Sequence, residues 1–330
     1  MSQILVTGAS GYLGTQLIAA LLRAGQGPVR AQIRAAAKED DLRAAVRRGE
    51  ADDAGLEVVT ADLMSDDGWK AAMARAEEVY HVASPIPPAQ PEDPDELIVP
   101  AREGTRRVLG AARAAGVRRV VLTSSFVAIG YTPKPGGEFT EDDWTDPDMP
   151  GLAPYPRSKT IAERAAWDFM SSGAPSSKNK RDTELTVVNP TFILGPPLTA
   201  ATGSSMYLVK AMFSGQMSVA PRHRFGIVDV RDAADAHIRA MAAPAAAGKR
   251  FIAVSDHPPM TYLEFAGVLR ERFGPLAAKA PTEQAPGEEP PPLVIRNDRA
   301  KRELGWRPRP VEATIDDTVE NLRERGELAG

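Results

Sequence analysis

Tyr155 and Lys159 stand four residues apart in the run Tyr155-Pro156-Arg157-Ser158-Lys159. That spacing puts both on one face of a helix, about one turn from each other. A free phenol has a pKa near 10 and is a sluggish acid or base at neutral pH. A lysine ammonium ~4 Å away at an effective dielectric of ~20 is worth up to ~4 kcal/mol, enough to move that pKa by roughly two to three units. The phenol would then approach the range where proton transfer is efficient. A surface helix with a cation lying over a ring has the same pattern. A hydroxyl cluster, Thr123-Ser124-Ser125, closes the β-branched run before it. Doubly wound sheets bind ligands off the carboxyl ends of their strands, so a hydroxyl there could hold a substrate carbonyl oxygen. Alternatively it bonds locally to backbone.

A second constellation sits at the amino end. The apolar run QILVT leads directly into TGASGYLG, with Gly8, Gly11 and Gly14 three apart. At a strand-to-helix junction the first glycine permits a tight turn, the second lets backbone approach a pyrophosphate at the helix N-terminus, and the third lets helix pack closely on sheet. Ser10, Tyr12 and Leu13 belong to the same turn. A phosphate loop of the nucleoside-triphosphatase kind would end in Gly-Lys-Ser/Thr, which Tyr12, Leu13 and Gly14 do not supply. The next strand ends in VRAQIRAAAK, offering Arg34 and then Lys38, with no carboxylate before Glu39. An acidic residue there would favour NAD, whereas arginine accommodates the 2′-phosphate of NADP, its planar fork binding bidentately. Asp62 and Leu63 follow the third strand, where an adenine would lie; alternatively Asp62 caps a helix.

These residues need a scaffold, and the sequence describes one. Short β-branched runs near 3–7, 29–33, 56–60, 78–83, 118–124 and 184–189 alternate with alanine-rich helical stretches, among them 11–25 and 158–171. Such alternation marks βαβ units and an α/β fold on a parallel sheet. Three stretches break the rhythm. Residues 130–156 hold six prolines and an acidic cluster, too long for an ordinary connection, and are expected to wall the substrate cleft, with Phe126, Val127, Ile129 and Tyr131 giving apolar contact. Residues 171–182 read as a polar solvent loop, and 281–292 as an extended proline-rich surface segment. His81, His223, His237 and His257 show no metal-ligand spacing. His237 reads as a helix-face residue with Asp232 capping its helix, and His223 lies in the basic trio Arg222-His223-Arg224, which could touch substrate but is more often solvated surface. No G-x-S-x-G elbow surrounds Ser124 or Ser125, which disfavours a serine hydrolase.

Length and composition bound the rest. With 330 residues, one large α/β unit or two fused domains is expected. No cysteine is present, so disulfides and thiolate chemistry are excluded, and a reducing, cytoplasmic location is expected. Forty basic residues against forty-four acidic give a net charge of −4, with no global basic field for nucleic acid or anionic lipid. No apolar run approaches the ~20 residues of a membrane helix, and the first residues read as a buried strand rather than a signal peptide.

TGASGYLG, TSS and YPRSK, in this order and context, resemble the extended short-chain dehydrogenase/reductases. The resemblance extends to the dihydroflavonol 4-reductase-like branch, which includes aldehyde and ketone reductases, through HVASP (81–85), EDDWTDP (141–147), SKTIAERAAWDF (158–169), VVNPTFILGPPL (187–198), DVRDAADAHIRAM (229–241) and ELGWRPRP (303–310). It implies a Rossmann domain over 1–190 with a returning segment at 226–255, a sheet of about seven parallel strands, and a discontinuous substrate region at 191–225 and 256–330. It further implies that Tyr155 is the acid, that Lys159 lowers its pKa and binds the nicotinamide ribose, and that Ser125 rather than Ser124 polarises the carbonyl. By the same resemblance Arg34 reads the NADP 2′-phosphate, and Val82, Ala83, Ser84, Thr123, Pro190 and Thr191 lie along the cofactor. Gly130 stands where plant flavonoid reductases carry asparagine. The expected protein is an NADPH-dependent carbonyl reductase with a small-molecule substrate and no metal, as monomer or homodimer. A nucleotide-sugar epimerase using NAD is the rival enzyme, against which Arg34 argues. A silent cofactor-sensing regulator often lacks the tyrosine or lysine present here.

Overall fold

Strands form where β-branched residues can pack on both faces of a sheet, as QILVT, VRAQI and RVVLT can. In a computed structural model, which describes residues 3–85, 91, 93–172, 182–200 and 203–328, the sheet strands are Gln3–Thr7, Val29–Ile33, Leu56–Thr60, Ala76–His81, Arg119–Thr123, Glu184–Pro190 and Arg250–Ala253. Counted in chain order they lie 7-6-5-4-1-2-3 across the sheet, and every neighbouring pair is parallel. Strand order reverses at the first strand, so a crevice opens between its carboxyl end and that of the fourth. That is the ligand position of a Rossmann fold.

Six of the seven strands coincide with the runs read from sequence, with ends shifted by one or two residues. The seventh does not announce itself: it is four residues long and begins with Arg250, buried only because tertiary partners meet its charge. The first helix, Tyr12–Arg23, turns Leu17, Ile18 and Leu21 into the core and packs on helix Val230–Ala242. On the opposite face Asp95–Ala115 packs along Pro154–Ser171, the helix carrying Tyr155 and Lys159. Proline is tolerated in the first turn of that helix, where Pro154 and Pro156 fall, because those N–H groups have no intrahelical acceptor.

Several expectations need correcting. Asp229, not Asp232, caps helix Val230–Ala242, accepting from Arg231 N–H; Asp232 instead receives the Arg309 guanidinium at 2.9 Å. His237 does lie on that helix, on its fully buried face. Asp62 closes a tight turn by accepting from Met64 N–H at 2.8 Å and caps no helix. The 130–156 segment is tied down along its length. Thr145 binds Val127 and Ala128 backbone, Glu138–Phe139 pairs with Val294–Ile295, and Glu141 accepts from Ile252 N–H on the seventh strand. Its middle therefore packs on the sheet edge, and its two ends, at Tyr131 and Tyr155, face the cleft. The 281–292 tract is largely exposed, with Ala285 N–H donating to Ala220 O at 2.8 Å. Most of the polar loop expected at 171–182 lies outside the described residues. Among the described residues no helix is long and apolar enough to cross a membrane.

Candidate active site

The glycine turn is built for close approach. Gly8 has φ +66°, and a Cβ there would meet Ala83 Cα at 2.7 Å; one on Gly14 would strike the carbonyl of Gly8. Gly8 thus presses the end of the first strand against the segment leaving the fourth, across the crevice. Gly11 is the N-cap of the first helix with no side-chain cap and no acidic residue in its first turn, so the helix N-terminus is left for an anion. Gln32, which sequence reasoning missed, locks the turn by accepting from Gly8 N–H at 3.1 Å. Ala83 N–H donates to Thr7 Oγ1 at 3.1 Å, and the same hydroxyl meets His81 Nδ1 at 2.8 Å. Tyr12 and Leu13 offer only backbone here: the Tyr12 hydroxyl donates to Gly195 O at 2.6 Å, and Leu13 is in the core.

Arg34 follows the second strand, exposed, and bonds to no described residue, whereas Lys38 is engaged with Asp41 at 3.4 Å. Leu63 abuts Gly104 across helix Asp95–Ala115. Pro190 ends the sixth strand opposite Ala253, and Thr191 donates its N–H to Ala253 O at 3.1 Å. Ala83, Ser84, Thr123, Ser124, Lys159 and Glu163 surround a cavity of about 20 Å³, room for roughly one water. The Thr123 hydroxyl meets His237 Nε2 at 2.7 Å; the other ring nitrogen meets Ala233 O, and burial holds the imidazole down to about 4, hence neutral. The glycine turn, Arg34, Asp62, Ala83, Ser84, Thr123 and Pro190 thus end or follow strands at the carboxyl edge of the sheet, whereas Leu13 lies in the core and Lys38 pairs with Asp41.

Tyr155, Lys159 and Ser125 converge there as expected, but their electrostatics differ from the expectation. Burial raises the Tyr155 phenol above its ordinary value, and the neighbouring Ser125 hydroxyl opposes that rise. Burial also lowers Lys159 to about 8, against the raising effect of Glu163. No lowering of the phenol by Lys159 emerges. The ammonium instead faces Glu163 and His81, whose imidazole is pushed down to about 3 by burial and by Lys159. A phenol with a raised pKa is fully protonated at neutral pH, the form a proton donor needs.

On the substrate side Tyr131 comes close to Tyr155 and Tyr262; burial, then these neighbours, raise its phenol. Its hydroxyl meets His223 Nε2 at 3.2 Å. Phe126 and Ile129 are corrections: they lie in a separate apolar cluster with Phe139, Ile252 and Val254, the Phe126 ring edge-on to Phe139 at 6.1 Å. Val127 remains partly exposed. A Cβ on Gly130 would meet the Phe126 ring at 2.7 Å or less, so this packing leaves no room for asparagine. Glu163, Asn189 and Tyr262 were not foreseen. Only Glu163 left a sequence signal, lying four residues beyond Lys159 on the same helical face.

The profile of the NAD dependent epimerase/dehydratase family matches residues 4–254. The chain belongs to that family. It is 31% identical to cinnamoyl-CoA reductase 1 of Arabidopsis thaliana, over 99% of this chain and 90% of the relative. It is 29% identical to dihydroflavonol 4-reductase of Zea mays, over 98% and 89%. The crystal structure of yeast methylglyoxal/isovaleraldehyde reductase Gre2 complexed with NADPH superposes with a TM-score of 0.82 at 26% identity, covering 98% of this chain and 99% of that one. These likenesses run the length of the extended short-chain reductase now described.

Proposed function

We propose that this protein is an NADPH-dependent carbonyl reductase that converts an aldehyde or ketone to the alcohol. The observation that carries the reading is the buried Tyr155 phenol beside the Ser125 hydroxyl, with Lys159 one turn along the same helix, at the carboxyl edge of the sheet next to an uncapped glycine turn. The site fits the cofactor: the turn made by Gly8, Gly11 and Gly14 lets backbone approach its pyrophosphate at the uncapped N-terminus of the first helix, and Arg34, bonded to no described residue, suits a 2′-phosphate. Ser10, Asp62, Leu63, Val82, Ala83, Ser84, Thr123, Pro190 and Thr191 would line it, and Lys159 would hold the nicotinamide ribose. When bound, NADPH supplies the hydride.

The chain's own residues handle the oxygen. Ser125 and Tyr155 donate hydrogen bonds to the carbonyl oxygen, positioned where negative charge develops. Tyr155 gives up its proton as that charge forms, yielding the neutral alcohol. Tyr131, Val127, His223 and Tyr262 would contact the remainder of the substrate. Relatives named as reductases of a thioester, a dicarbonyl and a flavonoid support carbonyl reduction as the shared chemistry. The test is NADPH consumption against aldehydes, α- and β-ketoesters, diketones and cyclic ketones. No turnover of any carbonyl, or a preference for NADH, would overturn the reading.

A further inference from the structure

The catalytic helix carries a third ionisable side chain one turn beyond Lys159. Glu163 has a fully buried side chain, and both its oxygens are occupied. Oε1 accepts from Arg250 Nε at 2.6 Å and Trp167 Nε1 at 3.4 Å; Oε2 accepts from Asn189 Nδ2 at 2.8 Å and from the Ser124 hydroxyl. Two of these partners adjoin the site, and Arg250 ties the carboxylate to the segment packed on the sheet edge. Ser124 precedes Ser125, and Asn189 also donates to the Ser125 carbonyl at 3.2 Å and precedes Pro190. Arg250 lies over the Trp144 ring at 3.8 Å and donates through Nη1 to the carbonyls of Glu141 and Asp143, at 2.9 and 2.7 Å. Desolvation makes a buried ion pair a poor source of stability compared with apolar packing, so this one invites a role at the site it adjoins.

We propose that Glu163 is a positioning residue for the reduction: its carboxylate, clamped by Arg250, Asn189 and Ser124, fixes the backbone bearing Ser125 and keeps the Lys159 ammonium charged in a dry cleft. The proposal rests on the carbonyl-reductase reading. Among the described groups that line the cavity with Lys159, Glu163 is the one that carries negative charge, and it acts on the ammonium across the cavity while its own ion pair is with Arg250. The fourth strand presents His81, which is neutral; the fifth presents Thr123 and Ser124, which carry no charge; its own helix presents Tyr155, protonated, and Glu163. Arg250 lies on the far side of the carboxylate, bound to it. Burial alone would strip Lys159 of its proton at still lower pH, and the Glu163 charge opposes this.

The experiment follows the lysine directly, by NMR of ¹³C-labelled lysine ε-carbons in the full chain, with Lys159→Arg assigning the signal. Glu163→Gln removes the charge but strands Arg250, so Glu163→Gln/Arg250→Met is titrated beside it, removing both charges while keeping an apolar stem on Trp144. The Lys159 midpoint is expected to fall by roughly one unit or more, at least a tenfold loss of proton affinity, as for removal of a nearby opposite charge. The alkaline limb of kcat against pH should shift with it. An unmoved midpoint in the folded double variant overturns the proposal, as does a loss of kcat uniform across pH. The two readings fail separately: a wild-type lysine whose midpoint depends on Glu163 in a protein that reduces no carbonyl sinks the reductase, not the ion-pair geometry.

Discussion

Lys159→Met should make the protein more stable at neutral pH while abolishing its reductase activity. Burial takes the lysine from its ordinary 10.5 to about 8; at about 1.4 kcal/mol per unit, that places a cost of about 3 kcal/mol on the charged side chain in the folded state. The sign follows from proton counting. Between pH 8 and 10.5 the unfolded chain holds a proton that the folded chain has shed, so wild-type stability gains from this group as pH rises through that window; below pH 8 the full cost stands. Methionine fills nearly the same volume, carries no charge and leaves the hydrogen bonds of Glu163 intact. For a chain of 330 residues, about 3 kcal/mol corresponds to a rise in Tm of about 4 °C at pH 7. Thermal unfolding followed by circular dichroism at pH 7 and pH 10 is the assay. The advantage of the variant should be largest at pH 7 and mostly gone at pH 10, because both proteins share every other titration. Equal stability at pH 7, or an advantage indifferent to pH, would refute the argument that burial of this ammonium is costly.

Tyr155→Phe keeps the ring and removes the proton, so carbonyl reduction should fall by roughly 10² to 10⁴ while NADPH binding, read by fluorescence, is unchanged; near-normal turnover would remove Tyr155 from the mechanism. Arg34→Ala should weaken NADPH by about 1.5 to 3 kcal/mol, the worth of a hydrogen bond to a charged group, and leave NADH nearly untouched; isothermal titration of both cofactors decides it, and equal losses would refute a 2′-phosphate role. Phe126→Ala should act as a core deletion costing about 3 to 5 kcal/mol in denaturant unfolding, with the ranking of substrates by size preserved. Tyr131→Phe should change that ranking at little cost in stability, and a reversal of these two outcomes would return Phe126 to the pocket.

The glycine turn was legible because its three residues act through backbone alone: a strand-to-helix junction with glycines at that spacing has little else to be. Tyr155 and Lys159 were legible because helical periodicity puts i and i+4 on one face whatever surrounds them. Arg34 could be read because the end of the second strand is a fixed place in a doubly wound sheet. Local pattern reached its limit wherever a residue's role depends on a partner far along the chain. Arg250 and Glu163 are 87 positions apart, and neither reads as buried until the seventh strand is laid beside the sixth. The field on Tyr155 was misjudged for the same reason. Spacing places the lysine near the phenol and Glu163 one turn beyond it, but burial, which is tertiary, dominates how the two titrate. Phe126 was placed in the pocket by its proximity to Ser125 in sequence, yet a 3-10 turn at Phe126–Ala128 sends its ring under Gly130 and against Phe139. Sequence determined which groups could do chemistry and which elements would carry them; tertiary packing determined which of those groups are dry, which are paired, and therefore which hold their protons.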